Sequence, residues 1–134
     1  ELKVPNQRFI LIADDDREDI ELLEEAILLT DPGIKVHSFT SVHKVLDFIH
    51  AADELPCLII LDYNMPEMNG AEVLERLKTD SRLDGVPRIM WSTSNNNAFV
   101  KECMQKGASA YMVKPSTQQQ LQEQAKQILD MCKN

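Results

Sequence analysis

No stretch of this chain comes near the roughly 20 consecutive apolar residues that a membrane-spanning helix requires, so no contact with a membrane is expected. Basic residues are also scarce: 14 Lys and Arg against 22 Asp and Glu leave a net charge of −8, with no cationic cluster to draw a phosphate backbone. Nucleic acid is therefore not expected as a direct partner. The three cysteines, Cys57, Cys103 and Cys132, include no CxxC pair, which removes the usual sequence sign of a redox centre or a zinc site. Reduced, buried thiols in a cytoplasmic protein are the expectation. The opening residues, Glu1 to Arg8, lack the basic, apolar and small-residue sections of a secretory signal and do not begin with Met, so the start reads as trimmed. His37, His43 and His50 lack metal-ligand spacing and read as surface or helix-packing residues.

What is present is a regular alternation. The chain has 134 residues, 43% of them hydrophobic, which suits one domain over 1–134 with its core at about 8–132. Short apolar runs at Phe9 to Ala13, Lys35 to Phe39, Cys57 to Leu61, Pro87 to Trp91 and Ala110 to Val113 read as strands. Several are apolar throughout, as strands covered on both faces are. Between them Glu18 to Thr30, Ser41 to Ala51, Ala71 to Asp80, Ala98 to Lys106 and Thr117 to Cys132 have helical spacing. In the second helix Val42, Val45, Leu46 and Ile49 form one stripe, with Thr40 or Ser41 to cap it. Asp31-Pro32-Gly33 and Gly107 are stop signals whose glycines supply a left-handed conformation. Five βα units require right-handed crossovers and helices on both faces, hence a doubly wound α/β fold of flavodoxin-like strand order 2-1-3-4-5. Ligand chemistry then belongs in the crevice at the strands' carboxyl ends.

Polar residues gather at those ends. Strand one runs into Asp14-Asp15-Asp16, strand three into Asp62, strand four into Ser92-Thr93, and strand five into Lys114-Pro115. Crowded carboxylates raise one another's pKa unless a cation neutralises them. Oxygen donors without His or Cys suit magnesium better than zinc. Each group also has a plainer reading. Aspartates before a helix cap it, and Asp16, nearest the helix, is the best capping candidate, leaving Asp14 and Asp15 for a metal. Asp62 alone is a turn residue, Lys114 a solvated lysine and Ser92 a turn cap. The conjunction carries the argument.

The segments ILIADDD (Ile10 to Asp16), LIILDYNMPEMNG (Leu58 to Gly70), WSTS (Trp91 to Ser94) and GASAYMVKP (Gly107 to Pro115) resemble the receiver domains of bacterial two-component response regulators, of the single-domain CheY-like type, over nearly the whole chain. The resemblance implies that Asp62 is the phosphoacceptor, and that Asp14, Asp15, Asp62 and the backbone carbonyl of Asn64 hold Mg2+, for which Mn2+ can substitute. It implies that Ser92, Thr93, Lys114 and Tyr111 form the switch and phosphoryl-binding set, with Tyr111 as the aromatic that changes rotamer. Asn64 and Ser94 occupy positions that tune acyl-phosphate lifetime, and Thr93 stands where many members have a smaller residue. Asn69 replaces a frequent Asp with a local turn effect. Relatives often have a cis peptide before the proline matching Pro115, which would aim Lys114 inward.

The implied function is a phosphorylation-dependent signalling switch. A sensor histidine kinase or phosphotransfer protein, or a small phosphodonor, supplies the phosphoryl group, and the domain catalyses only its own modification and its reversal. Read-out is expected through the face of helix four, strand five and helix five, with phosphorylation-linked homodimerisation as a further outcome. The polar run Ser94 to Asn97 before helix four reads either as a readily moved segment or as a surface loop with a cap at Asn97. Because the chain ends just after helix five, output is expected by protein contact rather than through an appended domain. A haloacid-dehalogenase-type enzyme would place its nucleophile after strand one, the reverse of the order here. In a flavodoxin the loop after strand one binds phosphate, and three aspartates there repel it. A phosphorylation-independent interaction module does not need Asp14, Asp15, Asp62, Ser92 and Lys114 together.

Overall fold

A computed structural model describes residues 8–132; the expectations on Glu1 to Gln7 and on the last two positions lie outside the described residues. The elements are β1 (Phe9–Ala13), α1 (Arg17–Thr30), β2 (Lys35–Phe39), α2 (Val42–Ala51), β3 (Leu58–Leu61), α3 (Gly70–Lys78), β4 (Arg88–Ser92), α4 (Asn97–Gln105), β5 (Ala110–Val113) and α5 (Gln118–Cys132). All strands pair in parallel in the order β2-β1-β3-β4-β5, as the alternating pattern predicts.

The two faces of the sheet divide the strands' side chains by the period of two. Leu11, Ala13, Ile59, Leu61 and Met90 point to one face, where they pack with α2, α3 and α4 through Val45, Ile49, Leu74 and Cys103. Ile10, Ile12, Leu58, Ile60, Ile89 and Trp91 point to the other and meet α1 and α5 through Leu23, Ile27, Ala125 and Ile128. Because β1, β3 and β4 are covered on both sides, they are buried at every residue. The edge strands β2 and β5 are only half-buried. Among the described residues no helix is long and apolar enough to cross a membrane.

Local chemistry corrects several expectations. Helix α3 stops at Lys78, and a 3-10 turn follows at Ser81–Leu83, capped by Asp80. Ser41 holds the N-cap position of α2 but its hydroxyl makes no capping bond. The cap of α4 is Asn96, which accepts from the Ala98 N–H at 2.8 Å, rather than Asn97. Gly107 does take the left-handed conformation, φ 104°, and its neighbours close α4 with Ala108 N–H to Cys103 C=O and Gly107 N–H to Met104 C=O. Gly33 does not; there the Asp31 carboxylate turns the chain by accepting from the Gly33 N–H. The peptide before Pro115 is trans.

Cysteine pairing is the largest correction. Cys57 and Cys132 are joined as a disulfide with Cα atoms 5.1 Å apart, although 75 positions separate them in sequence. Right-handed winding brings the entry to β3 and the end of α5 to the same end of the sheet, where the parallel strands begin, which spacing alone does not reveal. Cys103 is the free, buried cysteine that had been expected at all three positions.

Candidate phosphoryl-accepting site

Parallel register sets the crevice. Asp14 continues β1 with its N–H bonded to Phe39 C=O, Asp62 continues β3 with its N–H on Ala13 C=O, and Lys114 continues β5 with its N–H on Ser92 C=O. Residues from three separate segments therefore leave the sheet side by side. Asp16 caps α1 by accepting from the Glu18 and Asp19 N–H groups, as expected of it. Its own N–H donates to Asp14 Oδ1 at 2.9 Å, which fixes the Asp14 carboxylate.

Asp14 is 1% and Asp62 6% exposed, and Asp15 lies open to solvent. One carboxylate oxygen from each falls within 4.8 Å of the others. Burial, followed by the neighbouring Asp14, pushes Asp62 up to about 6 despite the opposing charge of Lys114. Burial likewise raises Asp14 above the ordinary carboxylate range, with Lys114 pulling it down. Burial works against the Lys114 ammonium too, but its contacts with Asp14 and Asp19 prevail and raise its pKa. Lys114 Nζ stands 2.8 Å from Asp14 Oδ2, 2.8 Å from Asp19 Oδ2 and 3.7 Å from Asp62 Oδ2. The trans peptide does not prevent this inward reach.

The donor set fits a hard divalent cation. Its atoms are carboxylate oxygens, and Asp14 Oδ2 is buried with no hydrogen-bond partner; its Lys114 contact is close but lacks hydrogen-bond direction. A dication at Asp14, Asp15 and Asp62 would offset the burial and the repulsion from Asp14 that push Asp62 up to about 6.

Ser92 is fully buried at the end of β4, and its Oγ accepts from the Ser94 N–H at 3.3 Å. Tyr111, half-buried on β5, donates from its hydroxyl to the Ser94 carbonyl at 2.7 Å, tying β5 to the segment before α4. Thr93 and Asn64 are exposed, and Ser94 is half-buried. The run before α4 is held by local bonds, Ser94 Oγ accepting from the Asn96 N–H and Asn96 from Ala98. Trp91 is buried as core, with its Nε1 donating to Gln124 and Lys114 Nζ 5.0 Å from its ring centroid.

The profile of the response regulator receiver domain matches residues 10–126. The chain belongs to that family. It is a signalling receiver domain of two-component response regulators. The chemotaxis protein CheY1 of Helicobacter pylori is 39% identical over 72 residues, 54% of this chain and 58% of that protein, so the match spans little more than half of the relative's length. The crystal structure of the phosphorylated cyanobacterial phytochrome response regulator RcpA superposes with a TM-score of 0.86 at 26% identity, covering 96% of this chain and 95% of that one. The Mn(2+)-bound form of response regulator Rcp1 shares the fold with a TM-score of 0.79 at 23% identity, covering 90% and 91% of the two chains.

Two groups escaped the sequence reading. Asp19 sits in the first turn of α1, where an acid reads as a response to the helix dipole. Tyr63 follows Asp62 in the turn, stacks on Phe99 of α4 with ring centroids 4.4 Å apart, and donates from Oη to Glu102. No periodicity signals either contact.

Proposed function

We propose that Asp62 accepts a phosphoryl group in a Mg2+-dependent reaction and that receiver 1–134 thereby acts as a phosphorylation-dependent switch. The observation that carries this reading is the gathering of buried Asp62 with Asp14, whose Oδ2 has no directed hydrogen bond, and with the Lys114 ammonium 3.7 Å from Asp62. An Asp62 carboxylate oxygen attacks phosphorus in line as the bond from phosphorus to the phosphohistidine nitrogen, or to the leaving oxygen of a small phosphodonor, breaks. An acyl phosphate on Asp62 results. Asp14, Asp15, Asp62 and the Asn64 carbonyl would hold Mg2+, with Mn2+ as a substitute, and when bound it would neutralise charge on the phosphoryl oxygens. Rcp1 has been crystallised with Mn(2+), which accords with that choice. Lys114 supplies a second positive charge beside Asp62, and because phosphoryl transfer depends mainly on positioning and charge, these groups suffice.

The donor is a sensor histidine kinase or phosphotransfer protein. Ser92, one residue inside Thr93, is drawn to the phosphoryl oxygens, and Tyr111 then exchanges its Ser94 bond for the space that Ser92 vacates. Asn64, Thr93 and Ser94 flank the acceptor and set how readily water reaches the acyl phosphate. Met104 on α4 and Val113 on β5 are exposed apolar side chains, which suits an α4-β5-α5 face that meets a protein target or a second phosphorylated copy.

Incubation with acetyl phosphate, with and without Mg2+, followed by intact-mass measurement tests the proposal. The expected result is a metal-dependent gain of one phosphoryl group that vanishes in Asp62→Asn. A gain that is indifferent to metal or to that substitution refutes it.

A further inference from the structure

Lys114 is surrounded by three carboxylates but gives a directed hydrogen bond to only one of them. Nζ is equally close to Asp14 Oδ2 and Asp19 Oδ2, yet the Asp19 contact has hydrogen-bond geometry while Asp14 Oδ2 is left without a partner. Asp19 is itself held in place, since its N–H donates to the Asp16 cap and its turn belongs to α1. It does not belong to the set of oxygens that Asp14, Asp15 and Asp62 bring together.

We propose that Asp19 is a positioning residue whose carboxylate shares the Lys114 ammonium with Asp14, so that the lysine's hold on the cation-ligating oxygens is weaker than it would be without Asp19. The inference rests on reading the crevice as a metal-assisted phosphoryl-accepting site. An ammonium and a divalent cation are rival counter-ions for the same carboxylates. Without Asp19, Lys114 would have only Asp14 and Asp62 as partners and would oppose the dication at both. Asp19 offers the lysine a partner outside the Asp14, Asp15 and Asp62 set, so the ammonium keeps a counter-ion when the dication takes Asp14. The bond is charge-assisted and its lysine side chain is only 8% exposed, so it is stronger than a surface ion pair.

The test compares wild type with Asp19→Asn and Asp16→Asn. Asp16→Asn removes the same charge from the same turn, keeps a capping side chain and makes no contact with Lys114. Calorimetric titration with Mg2+ is expected to give a dissociation constant about tenfold weaker for Asp19→Asn and less than about threefold weaker for Asp16→Asn, because only the former leaves Asp14 as the lysine's nearest carboxylate and so strengthens its competition with the dication. The single tryptophan, Trp91, gives a metal-free readout, since Lys114 lies over its ring. Emission is expected to change in Asp19→Asn, to match wild type in Asp16→Asn, and to return towards wild type in Asp19→Glu, which keeps the charge. Should Asp19→Asn not fold, Asp19→Ser carries the same comparison. Equal weakening in the two asparagine variants, or unchanged emission in Asp19→Asn, overturns the inference. If Asp62 takes up phosphoryl normally while these variants behave alike, this inference falls alone. If phosphoryl uptake fails while the emission and Mg2+ differences appear, the positioning role stands and the proposed function falls.

Discussion

Tyr63 Oη donates a 2.9 Å hydrogen bond to Glu102, and the same tyrosine ring stacks on Phe99, so the residue next to the proposed phosphoacceptor grips α4 twice. Glu102 passes the contact on to Lys106, which also pairs with Glu75 of α3. Burial and the bond to Glu102 push the Tyr63 hydroxyl up to about 12, so it remains a donor throughout the physiological range. Tyr63→Phe keeps the stack and is expected to lose about 1 kcal/mol of stability in urea unfolding. Tyr63→Ala removes both contacts and is expected to lose about 3 kcal/mol. Equal losses in the two variants would assign the whole effect to the hydroxyl and contradict this division.

The raised Asp62 pKa has a stability consequence with a definite sign. Its carboxyl binds a proton at about 6 in the folded chain against 3.8 when unperturbed, so the folded state holds more protons between those values. The stabilising contribution is complete below 3.8 and disappears as pH rises through about 6. Without metal, Asp62→Asn is therefore expected to exceed wild type in stability at pH 8 by on the order of 1 kcal/mol or more. The gap should narrow on acidification to pH 4, and Mg2+ at pH 8 should close it by stabilising wild type alone. Thermal unfolding at the two pH values checks this.

The sheet order was legible because parallel strands buried on both faces leave continuous apolar runs, and crossover handedness admits few arrangements of five such runs. The same topology predicted that Asp14, Asp62, Ser92 and Lys114 would meet at one end. What stayed hidden depends on side-chain direction. Asp19 reaches Lys114 only because the Asp16 cap sets the angle at which α1 departs, and Cys57 meets Cys132 only through the packing of α5. Neither relationship leaves a period or a motif. Cap positions slipped by one residue at α4 because Asn95, Asn96 and Asn97 are chemically alike and only backbone geometry selects Asn96.

The link between Cys57 and Cys132 closes a long loop containing β3, β4, β5 and most of α5, and such cross-links restrict the unfolded chain. Thiol reduction is expected to lower unfolding stability by about 2–4 kcal/mol, and Cys57→Ser or Cys132→Ser to match reduced wild type with no further response to reductant. Cys103 should not replace either partner, because burial lifts its thiol to about 11 and encloses it beneath α4. A urea midpoint that does not respond to reductant would contradict the assignment of a stabilising role.

Gly70 begins α3 against the backbone that carries Asp62, the proposed acceptor. Its N–H donates to Tyr63 C=O at 2.8 Å, and a Cβ built on it would lie 2.9 Å from Asp62 O and 3.0 Å from Tyr63 Cα, besides striking Met90 Cε. The methionine end can swing aside, but the Asp62–Tyr63 backbone is held by the sheet. Alanine improves helix propensity by about 1 kcal/mol, and overpacking costs typically about 1–3 kcal/mol, so the steric term is expected to win. Gly70→Ala should therefore unfold at lower urea and take up phosphoryl from acetyl phosphate more slowly, since relief of the clash moves Asp62. Gly85, where an added Cβ meets nothing within 4 Å, is the matched control, and Gly85→Ala should leave the phosphorylation rate unchanged. If both alanine variants phosphorylate at the wild-type rate, the contact between α3 and the acceptor strand does not set the position of Asp62.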